Sequence, residues 1–434
     1  MRLNHPTTGL WSWIAHRLVA NYWFLAACAV IAAPLAFAVS LALDRRGLTA
    51  WLLDRGLAPV ASADTAKEAA SVIAGIDAAF ITLYFSISLI VLTIAAGNLG
   101  VRLIDRWLGR QLVRVSIAGL SFSLIFAVLT LVAIDGEAPL DETPLATFSI
   151  ALLLLAVNVV MLAVALHDLG RTMFIDKAID ALAGDAGDGV RPIEGRAPFS
   201  GAFDQTIRAP LDGYVEGIDL DLLAGRLATH EGAMRICVAP GQHVLKGEPI
   251  ARFERAFASP EIVKKAVPIG PFRSDSQGAV FQIRLIVEIA ARALSPAVND
   301  FYTALAAADA MAEILLRHSA NWVDPDRVPV SANHPRFELP GQDFRGLFDD
   351  PLDAFRQAAA DYPSVAIRMI GNYGRVMRGV SDGAGKSEGG GLHGCSKFLE
   401  AKARALRDHA VQRAQLDHDA SDIRAAFERT WPTG

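Results

Sequence analysis

A few polar side chains interrupt the apolar runs of this 434-residue chain, and they have the clearest potential for chemistry. At about 100° per residue, Asp77, Tyr84 and Ser88 would share one face of a helix, and Asn158 lies in a later apolar run. An ionisable group inside a membrane span is costly, so its presence indicates a functional role. These four residues therefore predict a polar pathway for an ion through the membrane.

A purely structural explanation stays open for the same region. Thr82, Ser86 and Thr93 fall roughly on the opposite face. Hydroxyl groups of this kind can bond back to their own helix or to a neighbouring helix. The predicted span places Asp77 in its outer part, so the carboxylate could also lie at the outer interface of the membrane.

Four arginines follow the second apolar run at intervals of four residues. Arg102, Arg106, Arg110 and Arg114 would form one stripe along a helix. Such a stripe can bind anionic lipid headgroups or the acidic soluble part of the chain. It could also line an anion-selective gate, or serve only to set the orientation of the spans.

The stretch "ARALSPAVNDFYTAL", Ala291–Leu305, interrupts a helical pattern with a Ser-Pro and an Asn-Asp pair. Ser-Pro fits a helix start, and the Asn-Asp pair can cap the helix that follows. We prefer a structural role, in which this corner fixes a contact between subunits or between the soluble domain and the membrane bundle. A binding site for a small cytoplasmic ligand is the alternative. The corner residues are Arg292, Ser295, Pro296, Asn299, Asp300 and Thr303.

Other kinds of site have little support in the sequence. Cys28, Cys237 and Cys395 lie far apart, without the spacing of a metal site or a disulfide framework. No nucleophile–base or histidine pattern stands out. We therefore expect no metal, no cofactor and no enzymatic activity. A net charge of −5 and an isoelectric point of about 6.1 also argue against a nucleic-acid partner.

The elements that must position the polar residues are four apolar runs, each long enough to cross about 30 Å of hydrocarbon. They lie near Tyr22–Leu43, Ile73–Ala96, Leu112–Ile134 and Leu145–Leu166. The mean hydropathy of +0.32 is high for a soluble protein but low for one wholly within lipid. We therefore predict a membrane part joined to a soluble part.

Loop charges predict the orientation of the spans. The loop between the second and third spans is rich in arginine, whereas "DGEAPLDETP" between the third and fourth has four acids and no base. The positive-inside rule places the arginine loop in the cytoplasm. Both termini are then cytoplasmic, and we expect the chain in the bacterial cytoplasmic (inner) membrane.

The predicted fold is an α-helical four-span transmembrane bundle plus a cytoplasmic α+β domain that contains helices and a small barrel-sandwich-like β module. The predicted order is a cytoplasmic N-terminal segment (1–21), the transmembrane domain (22–166), a helix and linker (167–200), the β module (201–270), a helical domain (271–378), a Gly-rich loop (379–394) and a C-terminal helix (395–434).

The β module is predicted from short apolar runs separated by turn signals such as Pro240-Gly241. "DGYVEGID" and "PGQHVLKGEPI" resemble the barrel-sandwich shape of biotinyl and lipoyl modules. Those carriers need an exposed lysine flanked by methionines, and Lys246 has no such neighbours. We therefore interpret the module as structural.

Three stretches together resemble the DUF2254 family of bacterial predicted membrane proteins. In chain order they are "YFSISLIVLTIAAGNLGVRLI", the pair "DGYVEGID" and "PGQHVLKGEPI", and "ARALSPAVNDFYTAL", and this order is similar to that of the family. The chain departs from the usual family form at Phe301-Tyr302, where Pro-Phe is usual. The resemblance implies four spans followed by a cytoplasmic domain, and it implies no reaction.

Two functional classes remain open from the sequence. The first is an oligomeric channel or transporter-like protein whose cytoplasmic domain assembles or gates it. The second is a non-transporting scaffold, sensor or lipid-binding protein whose cytoplasmic domain binds a partner or a small ligand. We expect homo-oligomers, because four spans alone make a thin bundle and a pore would form most easily between copies.

Overall fold

The computed structural model describes residues 22–99, 111–171, 175–189, 191–273, 277–383 and 390–431. The chain divides into a first unit, Met1–Phe174, and a second unit, Ile175–Gly434. The described part of the first unit is helical, and the second unit combines helices with two β-sheets. The predicted order of apolar helices followed by a mixed helix and sheet region is thus confirmed.

The first unit contains four helices that are long and apolar enough to cross a membrane, counted over the described residues. Its elements are α1 (Tyr22–Leu43), a π-helical turn (Asp44–Leu48), α2 (Thr49–Asp54), α3 (Ala63–Leu99), α4 (Gln111–Ala133) and α5 (Leu145–Arg171).

The second apolar helix begins ten residues earlier than the predicted start at Ile73. Ser62 Oγ accepts a hydrogen bond from the backbone N–H of Thr65 at 3.2 Å, which caps the first turn of α3. The predicted loop of about thirty residues between the first two spans is therefore mostly helical. Only residues 55–62 connect α2 to α3.

The bundle is built around α4, which packs against α1, α3 and α5. One apolar cluster joins Tyr84 and Val91 of α3 to Val113 of α4 and Leu169 of α5. A second joins the early part of α3 to the late part of α4 and the beginning of α5; its members are Ala66, Ala70, Ile73, Ala74, Ala127, Ile134 and Phe148. This pairing shows that α4 runs antiparallel to α3 and α5.

The second unit combines helices with short strands. They are α6 (Ile175–Asp188), β1 (Ile193–Arg196), β2 (Gln205–Arg208), β3 (Gly213–Val215), α7 (Leu220–Arg226), β4 (Met234–Ile236), β5 (His243–Val244), β6 (Pro249–Phe253), α8 (Glu261–Ala266), β7 (Ile269–Gly270), α9 (Ala279–Ala293), α10 (Phe301–His318), a 3-10 turn (Ser319–Asn321), β8 (Val328–Ser331), β9 (Phe337–Glu338), α11 (Phe344–Ala359), α12 (Pro363–Gly383), α13 (Gly390–Arg413) and α14 (Asp417–Thr430).

The strands of residues 201–270 do not make a self-contained module. A six-stranded sheet has the order β1-β8-β9-β4-β6-β2, and a three-stranded sheet has the order β5-β3-β7. Three strands of the larger sheet come from outside the predicted module, and β4 pairs with β9 in parallel. Leu223, Ile236 and Phe253 lie in the apolar core beneath these strands.

The helical end of the chain differs from the prediction in two respects. Helix α12 continues to Gly383 and α13 begins at Gly390, so much of the predicted Gly-rich loop is helical. Residues 384–389 lie outside the described part. The predicted single C-terminal helix is two helices, because the chain leaves the helical conformation at residues 414–416.

Candidate functional site

The carboxylate of Asp77 lies deep inside the first unit. The apolar span in α3 runs from Ala63 to Ile94, so Asp77 stands near its middle rather than in its outer part. Ser123 and Asn158 also stand near the middle of α4 and α5. The three helices therefore bring these polar side chains to one depth.

Asp77 is fully buried, with 0% of its surface exposed. Its Oδ2 accepts a hydrogen bond from the Ser123 hydroxyl at 2.6 Å, and its Oδ1 accepts one from Asn158 Nδ2 at 2.9 Å. Within the described residues, no Lys, Arg or His side chain forms an ion pair with this carboxylate. The site is thus a buried carboxylate held by two neutral donors.

Buried hydroxyl groups extend this site along α4. Ser116, Ser123 and Thr130 recur every seven residues on one face, and each is at most 1% exposed. Seven residues correspond to about 10.5 Å along a helix. Thr130 donates to the carbonyl of Phe126, whereas Ser116 Oγ is buried without a hydrogen-bond partner in the described part of the chain.

The other polar residues of α3 divide into two groups, one predicted for the pathway and one predicted for the opposite face. Tyr84 and Ser88 are buried on the same face of α3 as Asp77. In contrast, Thr82 and Thr93 are exposed and donate to the carbonyls of Ala78 and Leu89. Their hydroxyls are satisfied within their own helix, as the structural explanation expected.

A second buried carboxylate, Asp44, was not predicted from the sequence. Gly47 has a φ of 105°, a left-handed conformation that suits glycine, and it kinks the chain within the π-helical turn. Asp44 is only 8% exposed and accepts hydrogen bonds from Ala146 N–H at 2.9 Å and Thr147 N–H at 2.9 Å. It therefore caps the N-terminus of α5 from another helix.

The same carboxylate accepts two hydroxyl groups, from Thr49 at 2.6 Å and from Thr147 at 2.7 Å. Ser40 lies 3.0 Å from the Thr147 hydroxyl and extends the network. The only signal in the sequence was an acid at the end of an apolar run, which by itself indicates an interface position. The first turn of α5, which Asp44 caps, lies about a hundred residues further along the chain.

Most of the predicted arginine stripe lies outside the described residues. Arg102, Arg106 and Arg110 belong to the undescribed range 100–110. Arg114 lies in the first turn of α4 and is half-buried. The lipid-binding, gating and topology roles of the stripe all remain predictions.

The predicted corner lies between α9 and α10. Asp300 is the cap of α10: its Oδ1 accepts the Thr303 N–H at 3.2 Å and its Oδ2 accepts the Thr303 hydroxyl at 2.6 Å. No helix begins at Ser295-Pro296; the Ser295 carbonyl accepts the Asn299 N–H in a single turn. The Ser-Pro pair is therefore an interhelical turn, and the cap lies five residues later.

Asn299 adopts a φ of 50°, which for a non-glycine residue is uncommon and suits asparagine. The Tyr362 hydroxyl donates to the Leu294 carbonyl at 2.7 Å and approaches Asn299 Oδ1 at 3.4 Å. Arg292 lies 4.0 Å from Glu288 on α9. The corner residues thus hold the turn, and Asn299 itself is exposed.

A comparison with protein families decides the relationship of the chain. The model for "Predicted membrane protein (DUF2254)" matches residues 20–373. This chain belongs to the DUF2254 family. The resemblance predicted from three short stretches is thereby confirmed, and the family description together with the four apolar helices identifies a membrane protein.

Curated relatives of this DUF2254 protein include an uncharacterized protein of Mycobacterium bovis and two of Mycobacterium tuberculosis, strains H37Rv and CDC 1551. Each is 25% identical over 264 residues, which cover 56% of this chain and 50% of the relative. The chain thus spans about half the length of the curated relatives it matches. No solved structure matches it.

The DUF2254 match covers the first unit from α1 onward, both sheets and the corner between α9 and α10. It ends within α12, so α13 and α14 lie beyond it. No group of three His, Cys, Asp or Glu side chains within the described ranges could hold a metal ion. The polar groups at Asp77 and Asp44 both lie inside the matched region.

Replacing the α10 cap should weaken the corner measurably. Asp300→Ala removes two hydrogen bonds to Thr303 and should lower the free energy of unfolding by about 1 to 2 kcal/mol. Asp300→Ser keeps a capping oxygen and should cost less. Thermal unfolding of the detergent-solubilised protein measures both, and equal losses for the two variants would contradict the capping role.

Proposed function

We propose that the protein is a membrane channel or transporter-like protein in which Asp77 binds the transported or coupling species, a proton or a monovalent cation. The observation that carries this proposal is the full burial of Asp77 at the middle of three apolar helices, with two neutral donors and no ion-pair partner within the described residues. An isolated buried carboxylate is costly unless its charge is neutralised. A proton or a bound cation supplies that neutralisation.

The other buried polar groups support a path through the whole bundle. Thr147, beside Asp44, precedes Asn158 by eleven residues in α5, and Ser88 follows Asp77 by eleven residues in α3. Measured along the helix axes, the two intervals together span about 33 Å, which is close to the hydrocarbon thickness of about 30 Å. Apolar side chains such as Leu120 and Phe126 are buried in the same stretch of α4 as its hydroxyl groups, and we propose that they close the path in this conformation.

We further propose that the protein lies in the bacterial cytoplasmic (inner) membrane with both termini and the second unit in the cytoplasm. The excess of arginines after α3 and of acids between α4 and α5 supports this orientation. In this arrangement the second unit assembles or gates a homo-oligomer, its barrel-sandwich-like strands are structural, and the protein is not an enzyme. Arg102, Arg106, Arg110 and Arg114 would then face anionic lipid headgroups.

The decisive test is ion flux in vesicles reconstituted with purified protein. Wild type should dissipate an imposed proton, sodium or potassium gradient, measured with pH- or cation-sensitive dyes inside the vesicles. Asp77→Asn keeps the shape of the side chain but cannot bind a cation or proton in the same way, so the flux should fall at least about tenfold.

Asp64→Asn is the matched control, because Asp64 is an exposed carboxylate in the first turn of the same helix. Its flux should equal that of wild type. Both variants should elute from a sizing column as wild type does, which separates loss of transport from loss of assembly. Absence of flux for all three cations, or unchanged flux in Asp77→Asn, would contradict the proposal.

The non-transporting class remains the second candidate, because the corner exposes an aromatic pair. Phe301 and Tyr302 have ring centroids 4.3 Å apart, and Tyr302 is 72% exposed. Exposed aromatic side chains are enriched where proteins contact partners. A scaffold, sensor or lipid-binding protein would use this surface to bind its partner. This class would be favoured if the wild-type protein assembled normally but vesicles containing it showed no flux.

A further inference from the structure

The N-terminus of α9 in the second unit begins a fifteen-residue helix whose cap residue forms no side-chain hydrogen bond. Gly278 occupies the cap position and has no side chain that could accept a hydrogen bond from the first turn. The first backbone N–H groups of a helix carry partial positive charge and attract anions. A helix end alone is common, so the side chains around it decide whether it is a site.

Two polar side chains converge on this helix end beside Gly241. The Arg284 guanidinium donates from Nη1 to the Gly241 carbonyl at 3.1 Å. A Cβ atom placed on Gly241 would lie 3.3 Å from both Arg284 Nη1 and Gln277 Oε1, and 3.1 Å from Val280 in the first turn of α9. The guanidinium and the amide therefore lie together at the start of the helix.

Gln277 has an unsatisfied donor at this position. Its side chain is only 4% exposed, and among the described residues Nε2 has no hydrogen-bond partner. A buried amide N–H without an acceptor costs about 1 to 3 kcal/mol, so such groups usually have a protein, water or ligand partner. This donor is the observation that points to a bound acceptor.

A second guanidinium adds positive charge nearby. Arg273 stacks over the Tyr214 ring, 5.0 Å from its centroid. Burial, and then the charge of Arg273, lower the pKa of Arg284, while the charge of Asp350 acts in the opposite direction. Among the described residues, no carboxylate lies within ion-pair distance of either arginine.

We propose that the N-terminus of α9, Gln277, Arg284 and Arg273 form a binding site for a phosphate group. A phosphate supplies several acceptor oxygens and the negative charge that the helix end and the guanidinium groups favour. The phosphate could belong to a small soluble molecule or to a lipid headgroup. The site is independent of Asp77 and of transport.

The test is the binding of inorganic phosphate to the full-length protein in detergent, measured by isothermal titration calorimetry at constant ionic strength. Arg284→Gln should weaken binding about tenfold or more, because a charge-assisted contact is lost. Gln277→Glu replaces the donor with a carboxylate of nearly equal size and should abolish binding. Arg424→Gln removes an exposed arginine of α14 and should leave binding unchanged.

Equal phosphate affinity in wild type, Gln277→Glu and Arg284→Gln, or no binding to wild type in any medium, would overturn the site. Circular dichroism of each variant without phosphate shows whether it is folded. The source of the phosphate is distinguished in nanodiscs. If a lipid headgroup occupies the site, phosphate binding should persist in phosphatidylcholine discs and disappear when phosphatidic acid is included; if a soluble ligand is bound, it should persist in both.

Discussion

Asp44→Ala should lower the free energy of unfolding of the membrane bundle by about 3 to 5 kcal/mol. The carboxylate accepts four hydrogen bonds, two from the first turn of α5 and two from threonine hydroxyls. Its loss leaves the N–H groups of Ala146 and Thr147 without an acceptor where little water can reach them. Hydrogen bonds to charged groups are worth about 1.5 to 3 kcal/mol each, and their sum is less than additive.

Thermal unfolding in detergent, followed by circular dichroism, measures this loss. Asp44→Asn keeps one carboxamide oxygen as an acceptor and should cost about half as much. Asp54→Ala is the control, because this carboxylate in α2 is exposed and should change stability by less than about 0.5 kcal/mol. Similar stabilities of Asp44→Ala and Asp54→Ala would show that the cap contributes nothing.

The second large effect is expected at Glu338 in the six-stranded sheet. Glu338 is 2% exposed, and it faces Arg235 across the parallel pair β4 and β9. Its Oε2 lies 2.7 Å from the guanidinium, and its Oε1 accepts the Phe199 N–H at 2.6 Å. Glu338→Ala should cost about 3 to 5 kcal/mol, because it leaves a largely buried guanidinium without its counter-charge.

A double-mutant cycle tests the Glu338 pair directly. Glu338→Ala combined with Arg235→Ala should cost less than the sum of the two single variants, because the second change removes the unpaired charge. Glu194→Ala, at an exposed position in β1 of the same sheet, should have little effect. Strict additivity in the cycle would show that the ion pair does not couple the two strands.

The sequence predicted the apolar helices well, because hydropathy and helical periodicity are local properties. The predicted run Tyr22–Leu43 coincides with α1, and the third run differs from α4 by one residue at each end. The early start of α3 was missed because its first turns contain charged residues such as Asp64 and Lys67. These turns lack the apolar character on which the span prediction depended.

The candidate site could be predicted only in part. Asp77, Tyr84, Ser88 and Asn158 stood out because polar groups in apolar runs are rare. Their depth and mutual contacts could not be predicted from spacing. Asp77 forms hydrogen bonds with Ser123 and Asn158, which lie 46 and 81 residues further along the chain. Ser116, Ser123 and Thr130 looked like ordinary small residues of a span until α4 was placed at the centre of the bundle.

By itself the sequence determined the class of the protein: four apolar helices, a mixed second unit and membership of the DUF2254 family. Length, hydropathy and short motifs suffice for these features. Only the tertiary structure decided that Asp44 caps α5, that Asp77 lies buried between three helices, and that Glu338 pairs with Arg235. These contacts join residues far apart in the chain, and the environment of a carboxylate depends on which helices and strands pack around it.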